Sequence, residues 1–443
     1  MKIISVLIAS FFLLPLRGFS SSFTLGSEVR LRYEFQNAFN QKFYGNHPKM
    51  GKGNDGFLLG RFRFGFDWRP NTTFHLKLYF QDAECWDMAL PEDAFYNEKL
   101  KSQNNPNKDR WELSDSFVEL NMPLDFPFRL KIGRQRLAYG DKRIFGPGTW
   151  GNSGRWIWDA IKFSYIKNNG FLDLYIGKTI IHEPRRFSLK HRHFFTSVGF
   201  YAHIPYKKAA FEPFFMTKKD KHNRYKSENG RLGDLDSYYV GSRFYIKGIK
   251  GFDVDFTYIR QFGDWGDDNI DAYGYHILLG KMFYLPLSPR VSLEFSYASG
   301  DDNPKDGEHG TFDGAFGARD KMYGRMNLFH WKNLKDYQAN LELYPKKGVY
   351  IKAEFHQFYL VEKKDAWYLN PKLYRDRTGS SGSHIGSEFD IVARYRKKSI
   401  GEIQVGYGHF FPGAFCKRIA SKGEANWFFL QWRRSFRKIL LRR

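Results

Sequence analysis

Apolar and polar residues alternate in short runs along nearly the whole chain. Val29, Leu31, Tyr33 and Phe35 are interleaved with Glu28, Arg30, Arg32 and Glu34. Phe62, Phe64, Phe66 and Trp68 alternate with Arg61, Arg63, Gly65 and Asp67, and Phe74, Leu76, Leu78 and Phe80 with His75, Lys77, Tyr79 and Gln81. A strand sends successive side chains to opposite faces, so each run predicts a strand with one apolar and one wet face. About eighteen such segments follow one another, each near the roughly 9–11 residues that cross a bilayer when tilted. They begin near Ser27, Phe57, Thr72, Glu112, Pro127, Trp158, Gly170, Phe194, Ala209, Ser237, Gly251, Asp271, Pro289, Tyr337, Gly348, Gly386, Gly401 and Glu424. The stretch from Asp271 to Tyr284 is ambiguous in period.

The connections are sorted by length. Arg69 to Asn71, Lys167 to Asn169, Lys247 to Lys250, Leu285 to Ser288, Pro345 to Lys347 and Lys397 to Ser399 are short. Gln36 to Gly56, Ala83 to Trp111, Leu137 to Ile157, Lys218 to Asp236, Gly300 to Asp336 and Leu360 to Ile385 are long and polar. Short turns at one rim and long loops at the other are the signature of an outer-membrane barrel, whereas a soluble sandwich or solenoid has no reason to sort its loops. The expected fold is all-β: a transmembrane antiparallel up-and-down barrel of about eighteen strands, with short periplasmic turns and long extracellular loops. An even strand count puts both chain ends on the periplasmic side.

Composition fits this picture. The chain has 443 residues, a formal net charge of +23 and 19% aromatic residues, with a mean hydropathy of −0.56. No apolar run is long enough for a spanning helix, and low mean hydropathy is normal for barrels. Lys2 followed by the short apolar run Ile3 to Leu16 and the small residues Gly18 to Ser22 reads as a secretory signal. The expected organisation is a signal peptide over 1–21 and one barrel domain over 22–443. Two cysteines, Cys85 and Cys416, make neither a disulfide framework nor a closed zinc site. Phe428, Leu430, Trp432 and Phe436 give a last strand ending in Phe, followed by the basic tail Arg437 to Arg443, expected to face the periplasm.

The stretch Gly133-Arg134-Gln135-Arg136-Leu137-Ala138-Tyr139-Gly140-Asp141-Lys142-Arg143, with Gly146, Trp150, Asn152, Gly154-Arg155 and Trp158-Asp159-Ala160, resembles the alginate-export family of outer-membrane barrels. Ser299 to Pro304, Gly310 to Asp313 and Tyr323 to Arg325 form a second block, and Gly386 to Asp390 a third, in the family's order. The resemblance covers essentially the mature chain. It implies an eighteen-stranded monomeric barrel whose electropositive constriction passes a polyuronate. The sequence departs from the well-studied exporters in one respect: they carry a long periplasmic turn late in the chain that plugs the pore, and here that turn is only Arg396 to Ile400.

In a barrel, charges on the lumen face set selectivity. Parity assigns Arg30, Arg32, Arg61, Arg63, Lys77, Arg129, Lys131, Lys162, Arg243, Lys352 and Arg394 inward, with the acids Asp173, Asp253, Asp255, Glu294, Glu354, Glu388 and Asp390. Arg pairs well with carboxylates because its planar fork grips both oxygens. Arg134, Arg136, Arg143 and Arg155 sit where alternation breaks, and either narrow the pore or cap it. The set predicts a path for anions, most readily acidic polysaccharide such as alginate, in the outer membrane of a Gram-negative-type cell. A general or small-anion porin is one alternative, and a structural or adhesive surface barrel with a filled lumen another. Basic loops suit lipopolysaccharide phosphates, and periplasmic export components are conceivable partners. Nucleic acid is not expected, since no recognition helix, zinc finger or RNA-binding signature is present. No enzymatic constellation, cofactor or metal is expected either. His182 and His191-Arg192-His193 read as exposed loop histidines. Asp302, Asp306, Gly307 and Asp313 fall at calcium-loop spacings, but Pro304 occupies a ligand position.

Overall fold

The computed structural model describes residues 21–37, 54–89, 96–97, 102–103, 106–122, 126–187, 189–369 and 373–442. Residues 1–20 of the expected signal segment, most of the long loop after Gln36 and part of that after Ala83 lie outside the described residues. The wall runs β1 (Ser22–Asn37), β2 (Asn54–Arg69), β3 (Phe74–Trp86), then β4 in two pieces (Asp109–Leu113 and Ser116–Asn121) and β5 (Phe128–Arg136). Next come β6 (Ile157–Lys167), β7 (Gly170–Ile181), β8 (Arg192–Tyr206), β9 (Ala209–Lys226), β10 (Leu232–Ile249), β11 (Phe252–Trp265) and β12 (Asp268–Met282). The wall ends with β13 (Arg290–Ala298), β14 (Leu334–Leu343), β15 (Val349–Tyr359), β16 (His384–Lys397), β17 (Gly401–Pro412) and β18 (Ala425–Arg442). Each strand is antiparallel to the next, and β1 pairs with β18 from Ser22↔Arg442 to Gln36↔Trp427, which closes the barrel at eighteen strands.

All eighteen expected segments are strands, including the ambiguous one, which is β12. The short connections sit at one rim. At Lys167 to Gly170 the hairpin closes on Asn168 and Asn169, with φ of 51° and 64°. Positive φ at both central residues is what a tight hairpin turn requires, and Asn tolerates it best after Gly. The other rim departs from expectation at two places. Lys218 to Asp236 is not a loop: β9 and β10 run on as a paired hairpin to Lys226 and Leu232. Gly266 and Asp267 alone join β11 to β12. The alternation that marks a half-lipid strand fades once a strand rises above the membrane, so its polar extension looks like loop.

Large apolar side chains such as Leu31, Phe62, Phe64, Ile132, Ile161, Leu174, Val240, Leu279, Leu293 and Leu430 stand exposed on the outside. Their neighbours in sequence are buried and polar, among them Arg30, Arg32, Gln81, Glu112, Ser296 and Glu354. This is the inverted arrangement of a membrane barrel, and an outward charge would cost about 2–4 kcal/mol at mid-membrane.

An eighteen-stranded wall encloses more space than its own side chains fill. Here two long loops turn inward and occupy it. The 137–156 loop crosses the bore to β13 and returns, and the 299–333 loop meets it in the middle. Phe316 stacks edge-on against Trp158 at 4.7 Å and Trp156 at 5.3 Å, and packs on Phe145 at 5.7 Å. The result is an apolar core inside the lumen, where the sequence predicts only wet surface. Each buried aromatic contributes roughly 1.5–3 kcal/mol of burial. The basic tail is also not a free tail: β18 continues through it, pairing Leu441 with Phe23 and Ile439 with Thr24. Both cysteines are free.

Candidate functional site

The wall cations are largely matched by acids. Arg61 binds Glu28 at 2.8 Å, Lys131 binds Glu119 at 2.7 Å, Lys162 binds Asp173 at 2.6 Å, and Arg243 binds Glu212 at 2.8 Å and also Asp255. Lys352 pairs with Glu354 at 2.5 Å, Arg129 donates to Asn121 at 2.8 Å, and Arg63 donates to Gln81 at 2.7 Å. Arg134 grips Asp159 with two bonds of 2.9 and 3.0 Å, and Arg136 lies 3.7 Å from Asp115. Lys77 lies over Tyr79 and Arg394 over Tyr350.

Other predicted residues hold the inward loops. Arg30 donates to the carbonyls of Thr149 at 3.1 Å and Gly151 at 3.0 Å, and to Asn152 Oδ1 at 2.8 Å. Arg32 donates to the Trp150 carbonyl at 2.7 Å, lies 3.8 Å over its ring and pairs with Glu34 at 2.7 Å. Arg143 reaches the opposite wall, where it bonds Ser296 Oγ at 3.3 Å and His276 Nε2 at 3.3 Å and lies 3.7 Å from Glu294. Burial works against its charge, yet the pull of Tyr323, Asp141 and Glu294 raises its pKa above the ordinary value. Glu388 and Asp390 are fully buried under the 299–333 loop, accepting the backbone N–H groups of Met326 at 2.8 Å and Arg325 at 3.1 Å. Arg143 and Arg155 thus lie on the loop that turns into the bore, while Arg134 and Arg136 stay in the wall.

Where the two loops meet, cations outnumber acids. Arg155, Lys218, Arg319 and Lys332 gather around Asp313, each close enough to interact with its charge. Asp313 accepts from Lys218 Nζ at 2.5 Å, and its backbone N–H donates to Gln261 Oε1 at 2.8 Å. Burial opposes its charge, but Lys218, Lys332 and Arg155 hold its carboxyl down at about 2. Burial first, and then the neighbouring Arg155, push the Arg319 guanidinium well below its usual pKa, against the pull of Asp320 and Asp313. The second acid nearby, Asp320, already accepts the N–H groups of Thr149 at 2.9 Å and Trp150 at 3.1 Å. Aromatic rings frame the cluster: Arg155 lies 4.6 Å over Trp156, Lys218 4.7 Å over Phe195, and Lys332 5.1 Å over Tyr368. Below it, on the short-turn side, a cavity of about 700 Å³ opens between Tyr139, Phe171, His203, Tyr245, Lys247 and Asp253.

Of this cluster, the sequence points to Arg155 as a residue that narrows or caps the pore and to Asp313 as an acid at calcium-loop spacing. Lys218, Arg319 and Lys332 were missed. Arg155-Trp156 and Trp331-Lys332, basic residues beside tryptophan within long polar loops, carried the available signal. The calcium spacing does not survive: Asp313 turns to Lys218, and Asp306 Oδ1 accepts the N–H of Glu308 at 3.0 Å. His182 and His191 are buried rather than exposed, at 7% and 3%.

The closed barrel, its lipid-facing belt and its charged, loop-narrowed bore define a channel of the outer-membrane type. The family model for alginate export matches residues 21–428, and the chain belongs to that family, a transport channel and not an enzyme. No curated protein matches in sequence. Among solved structures, the chain is similar to Pseudomonas aeruginosa OpdQ, with 11% identity and a TM-score of 0.58 over 95% of this chain and 98% of that one. It is similar to Acinetobacter baumannii OccAB3, with 9% identity and a TM-score of 0.59 over 94% and 99%. Pseudomonas aeruginosa OccK8 (OprE) gives 11% identity and a TM-score of 0.58 over 96% and 100%. These likenesses are of fold.

Proposed function

We propose that this barrel passes anionic solutes, most readily linear acidic polysaccharide of the alginate type, across the outer membrane of a Gram-negative-type cell. The observation that carries the reading is the cluster of Arg155, Arg319 and Lys332 on the inward loops with Lys218 on β9, whose charge exceeds that of Asp313 and Asp320. Guanidinium groups suit carboxylates, and the flanking aromatic rings offer faces for sugar rings. The paired wall charges would keep any one site weak, as conduction requires. Family membership supports the polymer. The protein acts as a monomer, with basic outer loops meeting lipopolysaccharide phosphates.

The test is single-channel current of the refolded protein in a planar bilayer, under a salt gradient and then with oligouronates. The expected result is anion-selective current blocked by oligouronates, with block weakened about tenfold, or roughly 1.4 kcal/mol, in Arg155→Ala/Arg319→Ala/Lys332→Ala. Unchanged permeability ratios in that triple variant would remove the cluster from the proposal. Anion current without block would favour the small-anion porin. The aromatic core across the bore favours a second reading, a filled structural barrel, and absence of current from folded wild type would establish it.

A further inference from the structure

Four side chains remain that the channel does not use. Asp109 and Glu112 of β4, His182 just after β7 and His191 just before β8 form a cluster inside the wall at the long-loop end, beneath Gly154. Asp109 and Glu112 are wholly buried.

The tautomers follow from the partners. His182 Nε2 lies 2.8 Å from the Gly154 carbonyl, which only accepts, so Nε2 carries the proton. In the neutral ring, Nδ1 then presents a lone pair. Nδ1 faces Glu112 Oε2 at 3.0 Å and contacts Asp109 Oδ2. A lone pair and two carboxylates thus converge, their ligand atoms all within 4.8 Å of one another. The second carboxylate oxygen, Asp109 Oδ1, is buried and without a hydrogen-bond partner. An unpartnered buried carboxylate oxygen is costly.

His191 has the opposite arrangement. Its Nδ1 accepts from Arg134 Nη1 at 2.7 Å, because an arginine only donates. Its Nε2 therefore donates to Glu112 Oε2 at 2.9 Å, and Gln81 Nε2 donates to Glu112 Oε1 at 3.0 Å. Glu112 is held from both oxygens by groups that are not themselves ligands. That is how supporting groups orient a metal-binding carboxylate.

We propose that Asp109, Glu112 and His182 Nδ1 bind one divalent transition-metal ion, best fitted by Zn²⁺ with a water as fourth ligand. Zinc ligands at roughly 2.0–2.2 Å in tetrahedral array lie about 3.3 Å apart, and the three candidate ligand atoms here lie within 4.8 Å of one another. One imidazole with two carboxylates selects such an ion over Ca²⁺ or Mg²⁺, which take oxygen alone. A double positive charge neutralises the two buried carboxylates. Through Gly154 the ion is tied to the segment bearing Arg155, so it steadies the 137–156 loop.

The experiment uses the full barrel, refolded in detergent without a polyhistidine tag. Zn²⁺ is added, excess is removed by dialysis, and bound metal is measured by mass spectrometry. One Zn²⁺ per wild-type chain is expected, and loss of it in His182→Ala and in Glu112→Gln. Absence of stoichiometric zinc in the folded wild type, or binding unchanged in both variants, would overturn the proposal and leave an imidazolium–carboxylate network. Should the variants not fold, Co²⁺ titration of the wild type decides. Visible absorption bands bleached by chelator support the site, and their absence from a folded barrel overturns it.

Discussion

Arg143 shows how much one loop residue can be asked to hold. Its guanidinium joins Asp141, Ser296, His276 and Glu294 across the bore. Arg143→Ala would strip Asp141 and Glu294 of their strongest counter-charge, leaving Arg243 and Lys352 to compensate in part. A loss of about 3–5 kcal/mol is expected, read as a lowered urea midpoint, because a broken buried pair leaves an unpaired charge. Arg143→Lys should recover only part of it, since a point charge cannot reproduce the fork. Asp301 sets a different dependence. Burial, then Asp365 and Glu228, raise its carboxyl to about 7. The unfolded chain gives up this proton near pH 4, so between about pH 4 and 7 the folded state binds more protons and stability falls as pH rises. Asp301 is half-buried, and solvent screening leaves about 1 kcal/mol of the effect. Thermal melts should show the wild type gaining stability from pH 8 to 5.5, while Asp301→Asn, which keeps the Oδ1 acceptor for the Asn303 N–H, should show a flatter profile. A wild-type melting temperature that rises with pH over that range would sink the assignment.

At the scale of elements, the two inward loops hold each other. Asp320 of one accepts two backbone N–H groups of the other, from Thr149 and Trp150. Asp320→Ala should unclasp them at a cost of about 1–3 kcal/mol, seen as larger, noisier single-channel current. Quiet current of wild-type size would show that the aromatic packing alone suffices. The strands themselves were legible because lipid on one side and polar groups on the other write a period of two into the sequence. Arg30 and Glu28 were legible as inward for that reason. The fate of those groups was not: nothing in the run Val29 to Phe35 says that Arg30 and Arg32 will meet carbonyls 118 to 121 residues away. Lys332 and Arg319 obey no period, since loop geometry is set by contacts rather than by a repeating backbone. The rise of β9 to Lys226 was missed for the same reason, the lipid having stopped dictating alternation there.

For the molecule as a whole, closure depends on the last strand. β18 spans Ala425–Arg442 and pairs with β1 nearly end to end. Removing residues 437–443 would free Gly26, Leu25, Thr24, Phe23 and Ser22 from their partners. The truncated barrel should lose heat-modifiable mobility in detergent gels at a lower temperature than the full chain. Equal resistance would mean that closure rests on the upper part of the seam.

The 137–156 loop is fastened to β1 by Arg30 and Arg32 and to the far side by Arg143. A crossbar fixed at both ends braces a ring against ovalisation and divides its opening, so the gauge of the passage is set by the bar and not by the number of staves. If the barrel passes the polymer proposed for it, such an aperture would sort cargo by topology: a single unbranched thread could be reeved past a fixed bar, while a branched or looped one of the same charge would be caught on it.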